Sequence, residues 1–169
     1  GQTATTTAIG VVGQSLQFDG SDDYVLVSEN DNLDLTADFT IALWLKPITV
    51  DVYDPFFTKG SGAAQFGLGS TGFTFCRSFV ACIFSDQGTY SLNTWQHAAV
   101  TRRGNDYVLY VNGVEQYGVN DPISYTNTST SVHIGQDDQV PSRMYQGFFD
   151  DYRVYTRALS ATEIKQLYV

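Results

Sequence analysis

The sequence predicts an all-β fold, a two-sheet antiparallel β-sandwich with a short C-terminal helix. Three observations carry that prediction. Tyr107, Leu109 and Val111 alternate with Val108 and Tyr110 in the period of two of a pleated strand, and Asn112-Gly113 then supplies the positive-φ pair of a tight hairpin. Eleven Tyr, eleven Phe and two Trp against one Met favour strands over helices. The 169 residues suit one domain, and a sandwich routinely uses that length around a single core.

Taken in order, Gly1 to Gly13 is rich in Thr and Ala, shows no clear period and reads as a frayed start. Leu16 and Phe18 share one face of a first strand. Asp19 to Asp23 is a turn, and Tyr24 to Val27 runs back. Glu29 to Asp34 is an acidic turn without the glycine and terminal glutamate of a helical calcium loop. From Phe39 to Lys46 the alternation is clean: Phe39, Ile41, Leu43 and Leu45 face the core, whereas Thr40, Ala42, Trp44 and Lys46 face outward. Trp44 is therefore either roofed by a loop or free to stack on a ligand. Pro47 ends that strand.

Val50 to Pro55 reads as a loop carrying Asp51, Tyr53 and Asp54. Short strands follow at Phe56 to Lys59, Gln65 to Leu68, Phe73 to Arg77 and Phe79 to Phe84, separated by glycines. Trp95 to Thr101 and the Tyr107 strand pair through the polar turn Arg103 to Asp106. Val119 to Thr130 is a long polar loop containing the glycosylation pattern Asn127-Thr128-Ser129. Ser131 to Gly135 and Phe148 to Tyr155 are the last strands. Ser160-Ala161-Thr162-Glu163 is a capping box opening a helix whose apolar face is Ile164, Leu167 and Tyr168.

The net charge of −9, with no cluster of Lys or Arg, argues against nucleic acid or an anionic membrane as partner. Cations and neutral sugars suit such a surface better. No apolar run approaches the ~18 to 20 residues of a membrane span. The chain begins at Gly1 without Met, as a mature or excised piece would. Cys76 and Cys82 are the only cysteines. They are spaced for a bridge across adjacent strands or a short loop, and the alternative is two free buried thiols. A bridge would indicate an oxidising compartment.

Seven segments, in order, resemble the laminin-G-like and pentraxin-like jelly rolls of the concanavalin A-like superfamily. They are Leu16 to Val27, Leu33 to Pro47, Lys59-Gly60, Trp95-Gln96-His97, Leu109 to Gly113, His133-Ile134-Gly135 and Gly147 to Tyr168. The resemblance spans nearly the whole chain. It implies core positions at Phe149, Tyr152 and Val154, which do not share one parity. A bulge at Asp150-Asp151 would reconcile them.

Related lectin-like and glucanase domains hold a structural calcium between the first turn and the last strand. The resemblance maps that site to Asp19, Gly20 and Asp150, with Asp22 beside them; the plain alternative is a good Asx-turn. Asp137 and Asp138 resemble the pentraxin calcium loop, but Gln139 stands where its final carboxylate belongs, which favours a solvated loop. The Glu-x-Asp-x-x-Glu strand of the glucanases is missing, since Glu29, Glu115 and Glu163 are isolated. His97 matches a buried structural histidine. The chain is thus expected not to be an enzyme.

What remains is binding. Tyr53, Asp54, Asp86, Tyr90, Asp137, Asp138 and Tyr145, with Trp44, are the residue types that hold sugars through ring faces and hydroxyl hydrogen bonds. The expected function is a non-catalytic carbohydrate-binding module of a larger secreted or cell-surface protein, with a structural calcium ion. The rival expectation is a protein-interaction or adhesion module, or a spacer without a sugar site.

Overall fold

The computed structural model describes residues 6–60, 64–77, 81–86, 88–122 and 129–169. The glycosylation pattern at Asn127 lies outside the described residues. Among the described residues, thirteen strands form two antiparallel sheets. The first has the order β1 (Thr6–Ile9), β2 (Gln14–Asp19), β13 (Gln146–Tyr155), β4 (Phe39–Pro47), β9 (Gln96–Arg103), β10 (Asp106–Val111) and β11 (Val114–Asn120). The second runs β3 (Val25–Val27), β12 (Val132–Ile134), β5 (Tyr53–Lys59), β6 (Ala64–Gly69), β7 (Gly72–Arg77) and β8 (Ala81–Phe84). The helix α1 spans Ala161–Tyr168, and its capping box is formed: Ser160 Oγ accepts from the Glu163 N–H while the Glu163 carboxylate accepts from the Ser160 N–H.

The alternation in β4 separates two cores. Phe39, Ile41, Leu43 and Leu45 join the layer between the sheets, with Phe56, Phe66, Phe73, Phe75 and Phe149. Ala42 faces outward into a smaller cluster with Ala99, Tyr110, Leu159 and Ile164, which α1 covers. Trp44 lies on that outer face, 8% exposed, stacked on Tyr168 at 5.4 Å and set edge-on to His97 at 5.6 Å. Its cover is therefore the C-terminal helix rather than a loop, and Trp44 has no face left for a ligand.

The bulge in the last strand is present. Asp150 pairs with Trp44 and Arg153 with Ala42, so one extra residue is inserted, and Asp151 takes φ 45°. Phe149, Tyr152 and Val154 consequently all reach the inter-sheet core. Several elements differ from expectation, among them β11, whose last two residues fall in the loop expected over Val119 to Thr130. Thr6–Ile9 is an edge strand paired with β2, not a frayed start. β5 begins at Tyr53 rather than Phe56, because Pro55 sits beside a register shift and lies beyond Thr58 and Lys59, the β5 residues paired with β12.

Cys76 and Cys82 are directly opposed in the β7–β8 register and disulfide-bonded, with Cα atoms 4.0 Å apart.

Candidate functional site

The early start of β5 builds one wall of a pocket. Pro55 opposes Gly67 in the register, and the Tyr53 ring lies so close over Gly67 that an added Cβ would stand 2.6 Å from it. Only glycine allows that approach. The other wall is the segment following β12. Its Asp137 is completely buried and acts as a fastener. Oδ1 accepts from the backbone N–H groups of Gln139 at 2.9 Å and Val140 at 3.3 Å, and Oδ2 accepts from Arg143 Nη1 at 3.3 Å. Gln65 Nε2 adds a further bond to Oδ1 at 3.4 Å. The segment is tied to the sheet by Asp138 N–H donating to Thr58 Oγ1 at 3.2 Å. Between Asp51 to Asp54 on one side and Ser142 to Met144 on the other lies a pocket of about 240 Å³.

Asp54 borders it, but lies opposite core residue Leu68 in the β5–β6 register and acts on the buried Tyr145 hydroxyl. The residue is 2% exposed, and its Oδ2 has no hydrogen-bond partner. Burial pushes its carboxyl up from the ordinary 3.8 to about 7, offset in part by the Asp51 N–H. The Tyr53 hydroxyl is also buried without a partner, and burial together with the nearby Asp137 carboxylate drives it well above its ordinary value. Arg143 has one ionic bond, to Asp137, and its side chain is 41% exposed. The pocket thus presents a partly solvated cationic donor and the apolar surfaces of Val52 and Met144.

Of the residues expected to bind a ligand, Tyr53 and Asp54 line this pocket, and Asp137 and Asp138 shape its second wall. Tyr145 does not take part. It is fully buried, stacks on Phe149 at 4.1 Å, and donates its hydroxyl to the Phe148 carbonyl at 3.3 Å, so it belongs to the core. Asp86 and Tyr90 follow β8 and line no part of the pocket, and Tyr90 packs partly buried against the core. Arg143, Ser142 and Met144 escaped sequence reading. The usable signal was Asp137 with a base six residues on, bracketing Pro141 in one loop.

The calcium set also divides. Gln146 is opposite Asp19, and Asp150 lies four residues further along β13. Its Oδ2 accepts from the Val12 N–H at 2.7 Å and its Oδ1 from the Asp151 N–H at 2.7 Å. Asp150 is thus fastened to the β1–β2 turn and does not join the Asp19 turn. In its place Asp23 comes beside Asp19 and Asp22, with carboxylate oxygens within 4.8 Å of one another. Asp19 Oδ1 is taken by the Ser21 and Asp22 N–H groups at 2.7 and 3.3 Å, and Asp23 Oδ2 by the Asp19 N–H at 3.1 Å. The four-residue set therefore does not fit a calcium ion; three acids of one turn offer oxygens to one. The pentraxin-type position fits poorly as well, because both Asp137 oxygens are spoken for. A second acidic group, Glu29, Asp31 and Asp34, has Asp34 paired with buried Lys59 at 2.5 Å. Glu163 is engaged by Ser160 and Arg157. His97 is 2% exposed, and burial holds its imidazole down at about 4.

The two sheets and their strand order define a jelly-roll β-sandwich. Residues 19–165 match the Laminin_G_3 family of the concanavalin A-like lectin/glucanases superfamily, and the chain belongs to that family. A search of curated protein sequences finds no match. Among solved structures, the binding domain of Paraclostridial Mosquitocidal Protein 1 superposes with a TM-score of 0.82 at 16% identity, covering 99% of this chain and 46% of that one. This chain therefore spans about half of that binding domain. Domain 4 of AbnA, a GH43 extracellular arabinanase from Geobacillus stearothermophilus, was solved with arabinotriose. It gives a TM-score of 0.79 at 20% identity, with 99% and 82% covered. The heptameric SAP-like pentraxin of Limulus polyphemus gives 0.72 at 15%, with 90% and 80% covered. At these identities the likeness is one of fold.

Proposed function

We propose that this domain is a non-catalytic carbohydrate-binding module of a larger secreted or cell-surface protein. The observation that carries the reading is the pocket between Asp51 to Asp54 and Ser142 to Met144, where the partly exposed Arg143 guanidinium stands beside the apolar surfaces of Val52 and Met144. A guanidinium donates to hydroxyl oxygens, and sugars present such oxygens beside apolar C–H faces. The neighbour solved with arabinotriose lends the reading support. That similar solved structures are binding domains supports binding without catalysis.

A structural calcium remains part of the proposal. Asp19, Asp22 and Asp23, with the Gly20 carbonyl, would hold it at the first turn and supply only charge neutralisation and rigidity. The deciding measurement is binding of the folded domain to a broad panel of oligo- and polysaccharides, run in calcium and again in chelator. Selective binding in both arms is expected. Silence in both would overturn the carbohydrate reading, and an unchanged melting temperature in chelator would overturn the calcium.

One observation favours a second reading, a protein-interaction surface. Ile9, Val12, Leu16 and Leu26 are 90%, 58%, 37% and 42% exposed. Beside them a cleft of about 290 Å³, lined by Leu16, Phe18, Val25 and Ile134, opens between the sheets. Exposed apolar surface of this kind marks contact sites. Loss of binding to a protein partner on Val12→Glu would support this alternative.

A further inference from the structure

We infer that the free edge of β3 takes a partner protein by strand addition: an extended segment of alternating aliphatic residues, flanked by Lys or Arg, pairs with Val25–Val27 and covers the cleft beside it. The inference rests on the protein-interaction reading of that face and specifies the partner's chemistry.

The two sheets end unequally there. Leu16 and Phe18 of β2 line the cleft of about 290 Å³ together with Val25 of β3 and Ile134 of β12, so β2 stands across from the last strands of the second sheet. Beyond β2 the first sheet continues to β1, whereas the second stops at β3. The register sets Thr7 opposite Leu16 and Ile9 opposite Gln14. Opposed residues of a pleated pair share a face, so Ile9 points to the cleft side, yet it is 90% exposed. A strand added beside β3 fills the place left open beneath β1.

The backbone offers that strand a template. β3 pairs on one side with β12, through Val25 with Ile134, Leu26 with His133 and Val27 with Val132. Its other edge carries no paired strand among the described residues. Such an edge accepts an extended segment through main-chain hydrogen bonds, while alternate side chains supply specificity. Inward-facing aliphatic groups would meet Leu16, Val25 and Ile9, and an outward one would lie beside the exposed Leu26.

Charge names the partner. Residues 1–45 hold seven acidic side chains and no Lys or Arg. Six of the seven bracket β3 as two groups, Asp19, Asp22 and Asp23 before it and Glu29, Asp31 and Asp34 after it. Lys59 pairs with Asp34, which leaves Glu29 and Asp31 exposed and without an ion pair among the described residues. A calcium ion at the first turn would not neutralise that end. At roughly 3.3 Å per residue, a segment of about seven residues with a base near each end spans the edge and reaches both groups. The same charges exclude a second copy of this chain, because antiparallel pairing of β3 with β3 would set the acidic turn before one against the acidic segment after the other.

The test selects short random peptides from a displayed library on the intact domain and then synthesises those recovered. Alternating Val, Ile or Leu between Lys or Arg is the expected pattern. Methylating the backbone nitrogen of every second residue should abolish binding in one phase and spare it in the other, since alternate amides of a strand point to opposite edges. Ile9→Lys, and Glu29→Lys combined with Asp31→Lys, change exposed side chains and should each weaken the peptides about tenfold or more at an unchanged melting temperature. Acidic or uncharged flanks, or binding that tolerates methylation in both phases, would overturn strand addition and leave a contact surface of another kind. Self-association of the domain that Ile9→Lys abolishes would give the edge to a second copy and likewise overturn the assignment. Absence of any peptide sensitive to Ile9→Lys would overturn both the assignment and the protein-interaction reading.

Discussion

Asp150 Oδ2 accepts the backbone N–H of Val12 at 2.7 Å, joining residues 138 apart in sequence. The last long strand thereby pins the β1–β2 turn, and Gly10 is packed so close that a Cβ there would overlap the same carboxylate. Asp150→Ala should cost about 2 kcal/mol, the scale of a hydrogen bond to a charged group with its donor left unmet. Gly10→Ala should destabilise by a similar route. Urea denaturation measures both, and an Asp150→Ala domain as stable as wild type would contradict the pinning role.

Trp44 and Tyr168 make the second long-range fastening. The stack closes α1 over the outer face of the first sheet, above His97. Trp44→Ala is expected to lower stability by about 3 to 5 kcal/mol, as for a buried aromatic removed from a core. Glycan affinity at a temperature where the variant is folded should not change. A variant that stays stable but loses sugar binding would return Trp44 to the ligand-stacking role.

These fastenings mark where the sequence was legible. In β4 the period of two assigned each residue to its face correctly, because both faces are buried against different partners. The β13 bulge was legible from a conflict, since Phe149, Tyr152 and Val154 cannot share a face without an inserted residue. Periodicity names a face but not its cover, so the helix over Trp44 was out of reach. β1 was hidden because an edge strand with Ile9 at 90% exposure needs no buried alternation. Asp150 and Asp19 lie on paired strands, and only the register that puts Gln146 opposite Asp19 separates them. Tyr53 and Asp54 could be nominated by residue type. Arg143 could not, because it enters the site through a loop closed on Asp137.

The Cys76–Cys82 bridge closes a short loop between β7 and β8, with a sequence separation of 6. Loop-closure entropy for so short a ring is worth about 2 kcal/mol. The double variant Cys76→Ser with Cys82→Ser should therefore lose about that much and still fold, since the inter-sheet core does not depend on the bridge. Thermal melts with and without reductant should show the same loss in the wild type. A reduced protein that fails to fold would show that the core alone is insufficient.

Asp54 and His97 pull stability in opposite directions across the same pH window. The folded protein holds Asp54 protonated up to about 7, while the unfolded chain releases that proton near 3.8. As pH rises through that interval the unfolded state binds fewer protons, so this group removes stability, and the loss is complete above about 7. His97 titrates at about 4 when folded against 6.5 when unfolded. As pH falls from 6.5 the unfolded state takes up a proton that the folded state refuses, so stability drops on acidification until about 4. The two slopes cancel in the wild type over much of pH 4 to 7. Asp54→Asn removes one of them and leaves the other exposed. Its stability relative to wild type is expected to rise from pH 4 to pH 7, measured as denaturation midpoints across that range. A variant whose pH profile stays parallel to wild type would show that Asp54 is ionised in the folded protein throughout and that its environment is wetter than the burial implies.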